Sequence, residues 1–122
     1  MPFEYILNDL LVRNDQAVGA LFLDESGEAV DVACADLTPY QLRIVGAYLG
    51  IYLRQLQKLT EATGLGEPEL LHIAKDDLHI YAVPIKDGYC LSLIQRSPSL
   101  VASARRSLEH AGRLMHDELF RD

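Results

Sequence analysis

The segment from Thr38 to Gly64 constrains this chain more than any other. Thr38-Pro39-Tyr40-Gln41 reads as a helix start. The threonine caps, the proline takes the first helical position where its missing N–H is not needed, and Gln41 can reach back as in a capping box. Gly64 is the residue type that ends a helix in a left-handed conformation. One helix is therefore expected from Thr38 to about Thr63. Leu42, Val45, Gly46, Leu49, Leu53 and Leu56 lie along one side of it, enough to cover one face of a sheet. Ile44, Tyr48, Ile51, Tyr52 and Leu59 form a second apolar set beside the first. Together they span roughly 200° of helix surface, where a helix facing one core needs about 100°.

Two arrangements satisfy such a helix. The terminal helices of the same domain can cover the extra arc, or a second subunit can. A self-complementary helix pair across a two-fold axis is the simplest form of the second, and light scattering distinguishes them. Gly46 and Gly50 cost about 1 kcal/mol each relative to alanine inside a helix, so close approach of a neighbouring backbone is expected at both. The remaining sector carries Arg43, Arg54 and Lys58. This basic stripe is either a solvated face or a contact for an acidic patch on a partner.

Around this helix the apolar periods change. Phe3, Ile6, Leu7, Leu10 and Leu11 recur at helical spacing, giving a short helix from Pro2 to about Arg13. Ala17 to Leu23 is nearly all apolar and reads as a buried strand, joined through Asp24-Glu25-Ser26-Gly27 to a second strand, Ala29 to Ala35. Three more strands follow: Glu69 to Lys75, Leu78 to Lys86, and Tyr89 to Gln95. Asp76-Asp77 and Asp87-Gly88 are their turns. Pro84 cannot donate to a ladder, so a bulge or an unpaired stretch is expected there. Ser97-Pro98-Ser99 opens the last helix, with Leu100, Ala104, Leu108, Ala111, Met115 and Leu119 as its buried stripe. The order is α-ββ-α-βββ-α, an α/β (α+β) fold with an antiparallel-type sheet apart from the central-helix crossover.

The chain has 122 residues, enough for one domain, 1–122, that folds without disulfides or metals. A net charge of −7 argues against nucleic acid and anionic membranes as partners. No apolar run approaches the roughly 20 residues of a membrane span. The first residues, with Glu4 and Asp9, do not resemble a signal peptide, and the C-terminal residues carry no lipidation motif. Cys34 and Cys90 are expected to be buried, reduced thiols of a cytoplasmic protein.

No catalytic constellation emerges: there is no nucleophile elbow, no phosphate-binding glycine loop with lysine, and no paired-histidine zinc motif. His72 and His79 fall on a diagonal of adjacent strands, but a metal there would need further ligands. His110 and His116 do not share a helix face. Asp24, Glu25, Glu28 and Asp31 lack the ligand ladder of a calcium loop and read as a solvated hairpin. The expectation is no catalytic residue, no cofactor and no metal, hence a protein-binding platform.

The element order, the Leu10-Leu11 leader helix, Val18-Gly19-Ala20-Leu21-Phe22-Leu23-Asp24-Glu25-Ser26-Gly27, the helix after Thr38-Pro39 and the meander closing at Asp87-Gly88-Tyr89 resemble the roadblock family, named for dynein light chains. The resemblance covers essentially the whole chain and points to bacterial or archaeal members that regulate small GTPases. It implies a profilin-like three-layer α-β-α sandwich with strand order 2-1-5-4-3, the central helix on one face and the terminal helices on the other. It implies homodimers in which the central helices pair and the Glu69–Lys75 strands meet edge to edge. On that basis the interface takes Ile44, Ala47, Tyr48, Ile51 and Gln55 from the helix and His72, Ile73 and Ala74 from the strand. In that order Cys34 and Cys90 lie two strand spacings apart, roughly 9–10 Å, too far for a disulfide. The resemblance further implies a small Ras-like GTPase as partner, with Arg43, Arg54 and Lys58 as possible contacts. Two other functions stay open: an adaptor subunit of a motor or signalling complex without a GTPase, and a small-molecule sensor domain.

Overall fold

The computed structural model describes residues 2–121, so Met1 and Asp122 of the expected 1–122 domain lie outside the described residues. The elements run α1 (Pro2–Val12), β1 (Ala17–Leu23), β2 (Ala29–Cys34), α2 (Pro39–Thr63), β3 (Leu71–Lys75), β4 (Leu78–Pro84), β5 (Cys90–Arg96) and α3 (Val101–Leu119). The five strands form one sheet in the order β2-β1-β5-β4-β3. Every pairing is antiparallel, because α2 carries the chain from one edge of the sheet to the other instead of to a parallel neighbour.

The sheet separates two apolar layers. Ile6, Leu7 and Leu10 of α1 and Ala104, Leu108, Ala111 and Met115 of α3 pack on Phe22, Tyr81, Leu91 and Leu93. On the other face Leu42 and Leu49 of α2 pack on Val18, Leu21, Leu23 and Ile94. β1 and β5 face apolar layers on both sides, which is why their sequences lack a polar alternation.

α2 begins as its sequence demands. The Thr38 hydroxyl accepts from the Gln41 amide at 3.1 Å, and the Gln41 side chain accepts from the Thr38 amide at 2.9 Å. Gly64 ends it at φ 67°, donating its N–H to the Thr60 carbonyl. Gly46 and Gly50 are buried within the domain, against its own first hairpin. A Cβ on Gly50 would lie 2.8 Å from the Gly27 Cα, and one on Gly46 would lie 2.7 Å from Leu23 Cδ2. The close backbone approach anticipated for a neighbour is thus made by Gly27, whose φ of 83° itself requires glycine.

Two local expectations are corrected. β4 stops at Pro84, and a short 3-10 turn, Lys86–Gly88, replaces a simple two-residue hairpin, with Asp87 at φ 64° and Gly88 at φ 86°. Second, Cys34 is exposed on edge strand β2, whereas Cys90 is buried, and both are free. Burial pushes the Cys90 thiol up to about 12. Of the two alternatives for Pro84 the unpaired stretch is the one that forms: the residue sits beyond the last β3–β4 pair, Leu71 with Ala82, so no ladder bond is lost on that side.

Candidate interaction surface

α2 packs chiefly on β1 and β2. It therefore leaves the other half of its sheet face thinly covered. Leu71 and Ile73 of β3 and Leu78 and Ile80 of β4 point to the α2 side and are only half-buried. Their alternation with His72, Ala74 and His79 is the sequence signal for this face, and of the four only Ile73 was expected at an interface. Beside this sheet face, the second apolar set of α2 stands in solvent: Ile44, Tyr48, Ile51, Tyr52 and Leu59 are between 41% and 56% exposed. Tyr48 and Tyr52 are neighbours one turn apart, their ring centroids 6.4 Å from each other. Ala47 and Gln55 are exposed on the same helix. No helix of the described residues covers any of this, since α1 and α3 lie on the opposite sheet face.

β3 is the sheet edge, with one side of its backbone unpaired within the chain. Its other residues turn away from α2. His72 stacks on Tyr81 with ring centroids 4.3 Å apart, and its Nε2 lies 3.0 Å from His79 Nδ1. His79 Nε2 continues the chain to Ser97 Oγ at 3.0 Å. Burial first, and the neighbouring His79 second, hold the His72 imidazole below its ordinary range. The diagonal pair foreseen in the sequence is therefore a hydrogen-bonded stack. Among the described residues no group of three or more histidine, cysteine, aspartate or glutamate side chains could hold a metal ion. Ala74 lies exposed on the strand edge.

The basic residues of α2 are all exposed. Arg43 and Arg54 are eleven residues apart and Lys58 is one turn further, so the stripe runs along one side of the helix. Arg54 donates to the Glu25 carbonyl at 3.4 Å. Arg54 also borders a cavity of about 540 Å³ between the second half of α2 and the two hairpin ends, with Asp24, Glu25 and Asp87 around it and Leu23, Leu53 and Cys90 lining it too. No sequence signal marks this cavity, because its walls come from four separate segments. The Asp24 carboxylate is occupied in shaping its own turn, accepting from the Ser26 and Glu28 amides at 2.9 and 3.0 Å.

No family model matches the sequence, and no curated protein sequence matches it. Solved structures do match. The Roadblock/LC7 domain from Streptomyces avermitilis superposes with a TM-score of 0.86 at 14% identity, over 95% of this chain and 96% of that chain. The chain has the Roadblock/LC7 fold. Myxococcus xanthus MglB gives the same TM-score of 0.86 at 11% identity, over 96% of this chain and 94% of that one. Profilin II of Acanthamoeba castellanii, at a TM-score of 0.68 and 12% identity, covers 97% of this chain and 99% of its own. The roadblock fold here is thus a profilin-like sandwich, as the roadblock resemblance implied. No described helix is long and apolar enough to cross a membrane.

Proposed function

We propose that this chain is a homodimeric, non-catalytic platform that regulates or scaffolds a small Ras-like GTPase in the cytoplasm. One observation carries the dimer: on the α2 side of the sheet, apolar residues of α2, β3 and β4 all remain partly or largely exposed. So much exposed apolar surface on one side of a domain marks an interaction site. In the proposed dimer α2 packs on its two-fold mate through Ile44, Ala47, Tyr48, Ile51 and Gln55. The β3 edges pair through the backbone around His72, Ile73 and Ala74, which removes an exposed edge. An MglB structure of this fold is described as having a tetrameric arrangement, so assembly of such sandwiches has a precedent.

The GTPase rests on the roadblock resemblance, and Arg43, Arg54 and Lys58 are its proposed contacts. The test is a pulldown with the purified chain, repeated with GDP and a GTP analogue. A Ras-like protein retained in one nucleotide state supports the proposal. Identical retention in both states would favour a structural adaptor instead.

A further inference from the structure

On the sheet face turned away from α2, His72, His79 and Ser97 form a chain of polar groups. His72 Nε2 lies 3.0 Å from His79 Nδ1, and His79 Nε2 lies 3.0 Å from Ser97 Oγ. His72 belongs to the edge strand β3 and pairs with Tyr81 on β4, with His79 on its diagonal. The three rings stack with interplanar angles between 10° and 20°. Two ring nitrogens 3.0 Å apart hold one hydrogen between them, so one ring must accept. When both imidazoles are fully protonated, two N–H groups face each other and the bond becomes a repulsion between like charges, with ring centroids 5.3 Å apart.

The surroundings supply no charge to offset such protons. Among the described residues no carboxylate pairs with either ring. On β5, Gln95 lies opposite His79 and is neutral. On β4, the Tyr81 phenol is hydrogen-bonded to Ser99 at 2.6 Å. In the β3–β4 turn Asp77 lies 3.8 Å from Arg96, and Lys75 and Asp76 are exposed. On the α3 side Arg105 binds Glu69 and Glu109, each at 2.9 Å.

The position of the pair gives it a consequence for assembly. When two β3 edges pair about Ile73, each His72 faces Ala74 of the second copy. The two His72 rings then lie on one face of the joined sheet as diagonal neighbours, about 7–8 Å apart at the backbone. The added strand, about 4.7–4.9 Å away, also removes water from a ring that is already half-buried. In the single chain, burial and then the His79 charge already hold the His72 imidazole below its ordinary value, and association strengthens both causes. We propose that the His72–His79 pair makes the dimer acid-sensitive, so that protonation of the pair opens the β3 edges and releases the two copies. This regulation rests on the dimer proposed above. The dimer holds the histidine proton less tightly than the separate chain does. Its Kd is therefore constant above the His72 pKa of the separate chain and rises as pH falls below it. Uptake of one proton per copy gives a limiting rise of about a hundredfold in Kd per pH unit.

The test is a dilution series of the full chain followed by light scattering at about pH 7.5, about pH 6.5 and about pH 5.5, at matched ionic strength. Far-UV circular dichroism at each pH follows the fold. Kd is expected to rise about tenfold or more over the lowest pH unit while the circular dichroism stays native. His72→Gln keeps a neutral hydrogen-bonding side chain and is expected to stay dimeric with a flat Kd. The His72 ring resonances of the parent give a readout that needs no variant, and they are expected to titrate over the interval in which the dimer dissociates. Four results would overturn the proposal and leave the dimer standing: a flat Kd in the parent, an equal rise in His72→Gln, titration of His72 outside the dissociation interval, or dissociation only where the native circular dichroism is lost. A monomer at about pH 7.5 would overturn the dimer and its acid sensitivity together.

Discussion

Gly50→Ala and Gly112→Ala are the same chemical change in two helices, and the structure gives them opposite signs. In an unobstructed helix interior the change adds up to about 1 kcal/mol of stability, because glycine carries the larger conformational entropy cost. At Gly112 in α3 an added Cβ meets nothing within 4 Å, so that gain is expected nearly in full. At Gly50 the Cβ would sit 2.8 Å from the Gly27 Cα, a backbone atom that no rotamer change can move. The helix or the hairpin must shift, and overpacking of this kind costs roughly 1–3 kcal/mol. The net at Gly50 is a loss of about 1 kcal/mol, and the two variants differ by about 2 kcal/mol. Urea unfolding at one fixed protein concentration reads this as midpoints about 1 M apart, for a slope near 2 kcal/mol per M. If Gly50→Ala stabilises as much as Gly112→Ala, the Gly27 contact does not explain why α2 keeps its glycine.

Two further predictions follow from side-chain environments. Because His72 is held below the ordinary histidine value of 6.5, the unfolded chain takes up its proton first. Its contribution to stability is therefore complete above that value and is lost as pH falls through the lower pKa of the folded state. His72→Gln is expected to flatten the decline in urea midpoint over this range, and equal slopes for variant and parent would contradict it. Among the thiols, Cys34 is expected to react with a disulfide reagent at pH 7.5 within minutes, and Cys90 only on unfolding. Two equally fast thiols in the folded protein would refute the burial assigned to β5.

α2 was legible in the sequence because three independent signals agree there: the capping box at Thr38 and Gln41, the stop at Gly64, and an apolar period of 3.6. The strands were legible from apolar runs between turn residues, and their errors fall at the ends. β4 was read through to Lys86 because Asp87-Gly88 looks like a two-residue turn. Whether Pro84 would stop the strand depends on β3 ending at Leu71, which is a tertiary fact. The purpose of Gly46 and Gly50 was illegible for a similar reason. Glycines four residues apart reveal that something comes close, but the approaching residue, Gly27, lies about twenty residues away in a turn. The exposed apolar surface was half visible in the sequence. Ile44, Tyr48 and Ile51 follow from helical phase alone, whereas Leu71, Leu78 and Ile80 join them only because α2 sits over β1 and β2 and leaves β3 and β4 aside.

In the proposed dimer the α2 arc and the β3–β4 face are covered by a second copy of this chain. Light scattering on the eluted protein at low micromolar concentration reads this without further assumptions, and a particle of twice the chain mass of 13.6 kDa is expected. Ile51→Asp is expected to be a monomer, because the two-fold axis buries two unpaired carboxylates at about 3 kcal/mol or more each, weakening Kd by about four orders of magnitude. A parent protein that elutes at 13.6 kDa would rule the dimer out.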